Sequence, residues 1–102
     1  MRFEWDPDKD RANQAKHGVS FDEAKALFTR GIDYLEIYDE AHSIDEDRFI
    51  AIGPVPRGVM LVAFAERPDD VIRLISSYGN HNGKEALRAV LARMEWVMTF
   101  ES

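Results

Sequence analysis

Between residues 34 and 78 the chain carries a succession of strand-like segments joined by connections too short for anything but hairpins and tight loops. Tyr34–Tyr38 alternates, with Leu35 and Ile37 on one face and Tyr34, Glu36 and Tyr38 on the other, the pattern of a half-buried strand. Arg48–Gly53 follows an acidic loop, Val59–Glu66 follows a turn containing Pro54 and Pro56, and Val71–Tyr78 follows Arg67–Asp70. Pro68 presets the first position of that last turn, so the final two segments form a hairpin. Short connections favour antiparallel pairing. Val59–Glu66 reads V-M-L-V-A-F-A-E; a strand apolar on both faces belongs in the middle of a sheet.

Helices flank this block. Phe3–Trp5 reads as a short strand, followed by Asp6 as an N-cap, Pro7 at the first helical position and Asp8 in the first turn. Gly18 is a natural stop, which gives a first helix over Pro7–His17. Its apolar content is thin, mainly Ala12 and Ala15, while Lys9, Asn13, Lys16 and His17 fall near one face. That face is either a solvated surface or a patch for phosphate or a partner. Ser20 and Glu23 form a capping box, Phe21, Ala24, Leu27 and Phe28 give a helical apolar stripe, and Gly31 ends a second helix. A glycine-containing loop, Gly79–Gly83, leads to a last helix starting near Gly83 or Lys84, striped by Leu87, Val90, Leu91, Met94 and Val97. Trp96, Met98 and Phe100 extend apolar character beyond the stripe, as core or as a partner surface. The expectation is one α+β domain over residues 1–102: a mainly antiparallel sheet with two N-terminal helices and one C-terminal helix.

Charge narrows the function classes. The formal net charge of −6 disfavours a free-standing nucleic-acid binder, because polyanion affinity comes from Lys and Arg displacing counterions. The charge is uneven: residues 1–47 carry 6 basic and 13 acidic side chains, residues 48–102 carry 7 basic and 6 acidic. Of the two halves, the second is therefore the better place for a nucleic-acid contact. The acidic stretch Asp39–Asp47 is either a solvated loop or an attraction for a basic partner. With no cysteine, disulfides and thiolate metal sites are excluded. No apolar run approaches membrane-spanning length, so the expected location is the cytoplasm. His17, His42 and His81 stand far apart, with no metal-ligand spacing, phosphate loop or dinucleotide fingerprint around them; no metal or cofactor is expected.

What remains is arginine on the sheet: Arg48, Arg57, Arg67 and Arg73. A guanidinium is permanently charged, and its forked donors match phosphate oxygens. Metal-independent RNA cleavage needs a base for the 2′-hydroxyl, an acid for the leaving oxygen and cations for the phosphorane-like transition state. Arginines supply the cations. Candidates for proton transfer are His17, His81, Tyr78 and Glu66, histidine having the best-matched ordinary pKa.

Several blocks in the same order resemble the BrnT family of bacterial type II toxins. They are F-E-W-D with Lys9 and Asn13; K-H-G-V-S-F-D-E-A at Lys16–Ala24; His42; E-D-R-F with Ile52-Gly53; Gly58; Arg67; and R-L-I-S at Arg73–Ser76. The resemblance implies a RelE-like fold and ribonuclease toxicity. It also implies a BrnA-like antitoxin partner with a ribbon-helix-helix region, the DNA contact being made only through that complex. Carried over by position, it makes Arg48, Arg67 and Arg73 expected catalytic residues, with Ser76 at a matching sheet position; Tyr78 joins the expected catalytic set on its own chemistry, as a proton-transfer candidate. Lys9, Asn13, Lys16 and His17 match the family's first-helix pattern and become expected substrate contacts, with Arg57 added as the arginine next to the turn glycine. The chain also departs from the family pattern. Tyr78 stands where an arginine is usual, Val59 follows Gly58 where arginine is frequent, and K-E-A-L at Lys84–Leu87 replaces the usual entry to the last helix. An alternative therefore stays open at this point: a toxin-like module without catalysis, acting as the protein-binding subunit of an autoregulatory complex.

Overall fold

A computed structural model describes residues 1–31, 33–56 and 58–80. Arg57, His81 and the expected last helix lie outside the described residues. The expected strands form one five-stranded sheet: β1 (Arg2–Glu4), β2 (Leu35–Tyr38), β3 (Arg48–Val55), β4 (Gly58–Arg67) and β5 (Val71–Asn80), in the order β1-β5-β4-β3-β2. β4 is central, as its two apolar faces require. The β2–β3, β3–β4 and β4–β5 pairs are antiparallel. β1 runs parallel to β5, with Glu4 beside Arg73, so the sheet is mixed, a correction to the mainly antiparallel expectation. A strand this short has no alternation that reveals its partner. Its place follows from what is left: β3 and β5 flank β4, and the outer edge of β5 remains open to it.

Helix α1 (Pro7–His17) forms where the caps place it. Asp6 accepts from the Asp8 N–H at 2.8 Å, and Gly18, at φ 69°, donates to the Gln14 carbonyl. The second expected helix divides at Lys25 into α2 (Phe21–Ala24) and α3 (Ala26–Thr29). The Phe28 and Thr29 N–H groups both turn to the Lys25 carbonyl, at 3.0 and 3.2 Å, and sharing one acceptor tightens the turn. α3 sits close to β3. A Cβ on Gly53 would lie 2.8 Å from Leu27 Cδ1 and 2.8 Å from Tyr34 Cβ, so only glycine admits this approach.

The helices cover one sheet face. Val19, Phe21, Ala24 and Leu27 pack with Ala51, Met60, Val62, Phe64, Ile72 and Leu74 in the main core. On the second face Ile50 and Leu61 are buried with Ile37, Ile52, Val59 and Tyr78 against them. The two faces stay in register except at one place. Ala63 pairs with Ser76 and Phe64 with Leu74, leaving Ile75 as an extra residue in β5, a β-bulge.

The acidic connection between β2 and β3 is ordered at its start. A 3₁₀ turn spans Glu40–His42, the buried Asp39 carboxylate lies 2.9 Å from His42 Nδ1, and the Ser43 hydroxyl accepts from the Arg48 N–H at 2.9 Å.

Candidate active site

The bulge decides which side chains share the second face. Arg73 and Tyr78 are an odd number of residues apart, so simple alternation would send them to opposite faces. The extra residue at Ile75 resets the alternation. Arg73 pairs with Ala65, Ser76 with Ala63 and Tyr78 with Leu61, all on the face away from the helices, while Ser77 turns into the helix side and is fully buried.

At the first end of this face three of the expected arginines come together. Arg48, Ala65, Arg73 and Glu4 are successive register partners across four strands. Neighbouring strands are about 4.8 Å apart, which puts the Arg48 and Arg73 backbones about 10 Å from each other across the small Ala65. Arg67, two residues beyond Ala65, extends from the same face of β4. Glu46 links two of the arginines: its Oε1 is 3.7 Å from Arg48 Nη2 and its Oε2 is 3.4 Å from Arg67 Nη1. Glu4 Oε1 is 3.5 Å from Arg67 Nε. Among the described residues Arg73 makes no ion pair, and the buried Nε of Arg48 has no hydrogen-bond partner. A buried donor left unpaired is costly, so the Arg48 Nε is a local cost of this arrangement, while the Nη end of the side chain is partly exposed. A cleft of about 330 Å³ lined by Glu4, Trp5, Asp6, Arg67 and Arg73 opens beside them.

Tyr78 lies at the other end. Its register partner Leu61 is four residues along β4 from Ala65, about 13 Å at strand rise, a gap that long side chains narrow from both sides. The Tyr78 ring meets the His17 imidazole with centroids 4.0 Å apart. Thus the expected catalytic set divides into an arginine end and a tyrosine–histidine end, with Ser76 between them.

The first-helix residues divide too. Lys9 and Lys16 are exposed and His17 is half-buried against Tyr78. Asn13 is not part of an exposed patch: it is buried, and its carboxamide is taken up inside the chain by Val19 and Ser77. Glu66, a candidate for proton transfer, belongs to the helix-side face of β4 with Glu36 and Tyr34. Burial first, then the Glu66 charge, raises the Glu36 pKa; burial, then Glu36 and Glu66, raises that of Tyr34. The sequence reading does not single out Glu4, Trp5, Asp6 or Glu46 as site residues. The signal for Glu46 is its place two residues before a sheet arginine. Among the described residues no group of three or more His, Asp and Glu side chains is placed to hold a metal ion.

A family model described as "Ribonuclease toxin, BrnT, of type II toxin-antitoxin system" matches residues 5–82, most of the chain. The chain belongs to the BrnT family. Among solved structures it is similar to the Brucella abortus ribonuclease toxin BrnT, whose crystal structure was determined at 1.1 Å. The TM-score is 0.58 at 22% identity, covering 76% of this chain and 94% of that one; at this identity the likeness is one of fold. No curated protein matches. The family is described as one of ribonuclease toxins of type II toxin–antitoxin systems, a description that implies an RNA substrate and an antitoxin partner. The family match spans β2–β5, α1 and the arginine end, and it ends close to the last described residue. Among the described residues no helix is long and apolar enough to cross a membrane.

Proposed function

We propose that this chain is a metal-independent endoribonuclease in which Arg48, Arg67 and Arg73 take the phosphate at the cleaved bond. Its RelE-like architecture is kept silent by a BrnA-like antitoxin with a ribbon-helix-helix region, and DNA is reached only through that complex. The observation that carries the reading is the convergence of these arginines on one end of one sheet face. Arg73 is the member without an ion pair among the described residues, and the guanidinium ends of Arg48 and Arg67 are partly exposed. Three guanidinium groups at a phosphate stabilise the charge that gathers on its oxygens in the transition state, which is the largest single contribution available without a metal. The Tyr78 hydroxyl, backed by His17, handles a proton on the side of the phosphate away from the arginines. Glu46 is the carboxylate at the arginine end able to accept one. Lys9 and Lys16 on α1 steer the RNA strand by charge, and Arg57 completes the substrate contacts.

The test is induced expression of this chain alone, with and without Arg73→Ala, scoring growth and total RNA. Purified chain is then assayed on a single-stranded RNA in excess EDTA. Growth arrest and cleavage that survive EDTA and vanish with Arg73→Ala support the reading. Undiminished cleavage in the variant removes Arg73 from the mechanism. A folded wild-type chain that never cleaves returns the alternative, a catalytically silent binding subunit of the repressor complex.

A further inference from the structure

We propose that Asn13 is a positioning residue: its carboxamide stands in for a missing strand beside β5, holds the bulged register of that strand, and so fixes Tyr78 on the arginine side. The inference rests on the reading of that face as the ribonuclease site. β1 accompanies β5 only from Val71 to Arg73. Past that point the outer edge of β5 has no strand partner among the described residues, and a bare edge exposes backbone donors and acceptors that need pairing. Asn13 supplies both. Its Oδ1 accepts from the Ser77 N–H at 3.1 Å, and its Nδ2 donates to the Ser77 carbonyl at 3.0 Å. An amide side chain offers one acceptor and donors in the geometry of a peptide group, so Ser77 is bonded as if a strand lay next to it.

The same Nδ2 reaches the Ser77 hydroxyl at 2.8 Å and the Val19 carbonyl at 2.9 Å. These bonds join β5 to the turn after α1. Asn13 is the buried residue of α1; the helix otherwise presents polar or small side chains, so this amide, with Asp10 accepting from the Phe21 N–H at 2.8 Å, anchors it. The consequence reaches the site because register is binary. If Ser77 slipped by one residue, the bulge would be lost and every side chain beyond it would change face. Tyr78 would turn toward the helices, away from Arg73, and its contact with His17 at the end of α1 would go with it. One buried amide thus sets both the strand register and the helix whose last residue meets Tyr78.

The experiment compares full-length wild type, Asn13→Asp, Ser77→Ala, Tyr78→Phe and the Asn13→Asp/Tyr78→Phe double variant. Two readouts are taken on folded protein: the chemical shifts of the His17 ring protons, and single-turnover cleavage of a single-stranded RNA. In wild type the Tyr78 ring displaces the His17 proton signals by its ring current. Asn13→Asp keeps the size of the side chain but removes the donors, and the expected result is loss of that displacement. Cleavage should fall on the order of 10²-fold, the scale of one proton-transfer group, while RNA affinity through the arginines is retained. The double variant should be no slower than either single change, because both remove the same contribution. Ser77→Ala deletes only the hydroxyl contact and gives a smaller change of the same sign. It also carries the test if Asn13→Asp fails to fold. An unchanged His17 displacement in either folded variant overturns the clamp. Additive rate losses in the double variant overturn its link to Tyr78. If wild type does not cleave RNA at all, the ribonuclease reading fails by itself, and the His17 signals still decide whether Asn13 holds the register.

Discussion

At one end of β5, Arg73 stands beside Arg67 and Arg48, and these two are held to Glu4 and Glu46 by ion pairs of 3.4–3.7 Å between partly exposed groups. At the other end Ser77 is fully buried, bonded on its backbone and its hydroxyl by Asn13, with the His17 and Tyr78 rings at 4.0 Å beside it. The first end is loosely held charge and the second a fixed hydrogen-bonded joint. Exposed ion pairs contribute little to stability, whereas buried donors and acceptors are costly to leave unmade. On the proposed function the first end meets a flexible polyanion, for which adaptable side chains suit; a strand that must keep an irregular register needs a rigid anchor. The bulge at Ile75 divides the two.

The sharpest way to break the comparison is Arg73→Ala. If this end is chemistry rather than architecture, cleavage falls about 10²–10³-fold, the cost of removing one preorganised charge from a transition state. Arg73 is half-buried, so unfolding free energy should move by no more than about 1 kcal/mol, the centre of the range for point changes. Urea melts and single-turnover rates on the same preparation check both. A large stability loss would show that Arg73 is structural after all.

Gly53→Ala touches neither end and gives the opposite signature. The added methyl would overlap Leu27 and Tyr34, and forcing an atom into a packed contact costs about 1–3 kcal/mol. Stability should drop by that amount while the cleavage rate of the remaining folded protein stays as in wild type. A variant as stable as wild type would mean that α3 moves freely off β3.

These two positions also show what the chain announces and what it hides. The caps at Asp6, Gly18 and Ser20, the hairpin turn at Pro68 and the alternation of Leu35 and Ile37 are local codes, and each element they specify starts where the sequence places it, although the helix after Ser20 divides at Lys25. The arginines were legible as sheet residues for the same reason, and the structure brings Arg48, Arg67 and Arg73 to one face. Three things were not local. The parallel seat of β1 depends on an edge left open by strands more than sixty residues away. The bulge at Ile75 cannot be seen in V-I-R-L-I-S-S-Y, because an inserted residue looks like any other until its partner strand is aligned, and with it went the knowledge that Arg73 and Tyr78 share a face. Asn13 looked like part of a solvated helix stripe, since its helix has almost no apolar residues to betray which side is buried. Its partner lies 64 residues away, and no spacing rule connects them. Burial of a polar residue is decided by tertiary hydrogen bonds, and those are absent from periodicity.

Glu46→Gln sharpens the contrast from the arginine side. Glu46 bridges Arg48 and Arg67, so if these arginines take RNA phosphate, Glu46 competes for the same guanidinium groups. Removing its charge should tighten single-stranded RNA binding a few-fold at low salt, within the ~0.2–1 kcal/mol range of exposed pairs, and the gain should shrink as salt screens it. If Glu46 also accepts the proton, cleavage slows while binding tightens, and fluorescence titration alongside single-turnover rates separates the two. Weaker binding would mean that Glu46 orders the arginines rather than competing for them.

The smallest effect is expected at Glu36, on the helix-side face and apart from both ends of β5. Burial and the neighbouring Glu66 hold its pKa above the ordinary 4.5. The folded chain therefore keeps a proton on Glu36 in a window above 4.5 where the unfolded chain has already lost it. More protons bound in the folded state means that stability falls as pH rises through that window. Below it both states are protonated and the penalty is absent; above the raised value the penalty is complete. Glu36→Gln removes the charge at every pH. The variant should melt slightly higher than wild type at pH 7 and with no advantage at pH 3, and its cleavage rate should not change. Because Glu36 is largely exposed, solvent weakens the effect, so thermal melts across the pH range are more informative than a single value. A gain that persists at pH 3 would assign the benefit to packing instead of charge. A loss at pH 7 would show that the Glu36 carboxylate is paired rather than crowded by Glu66.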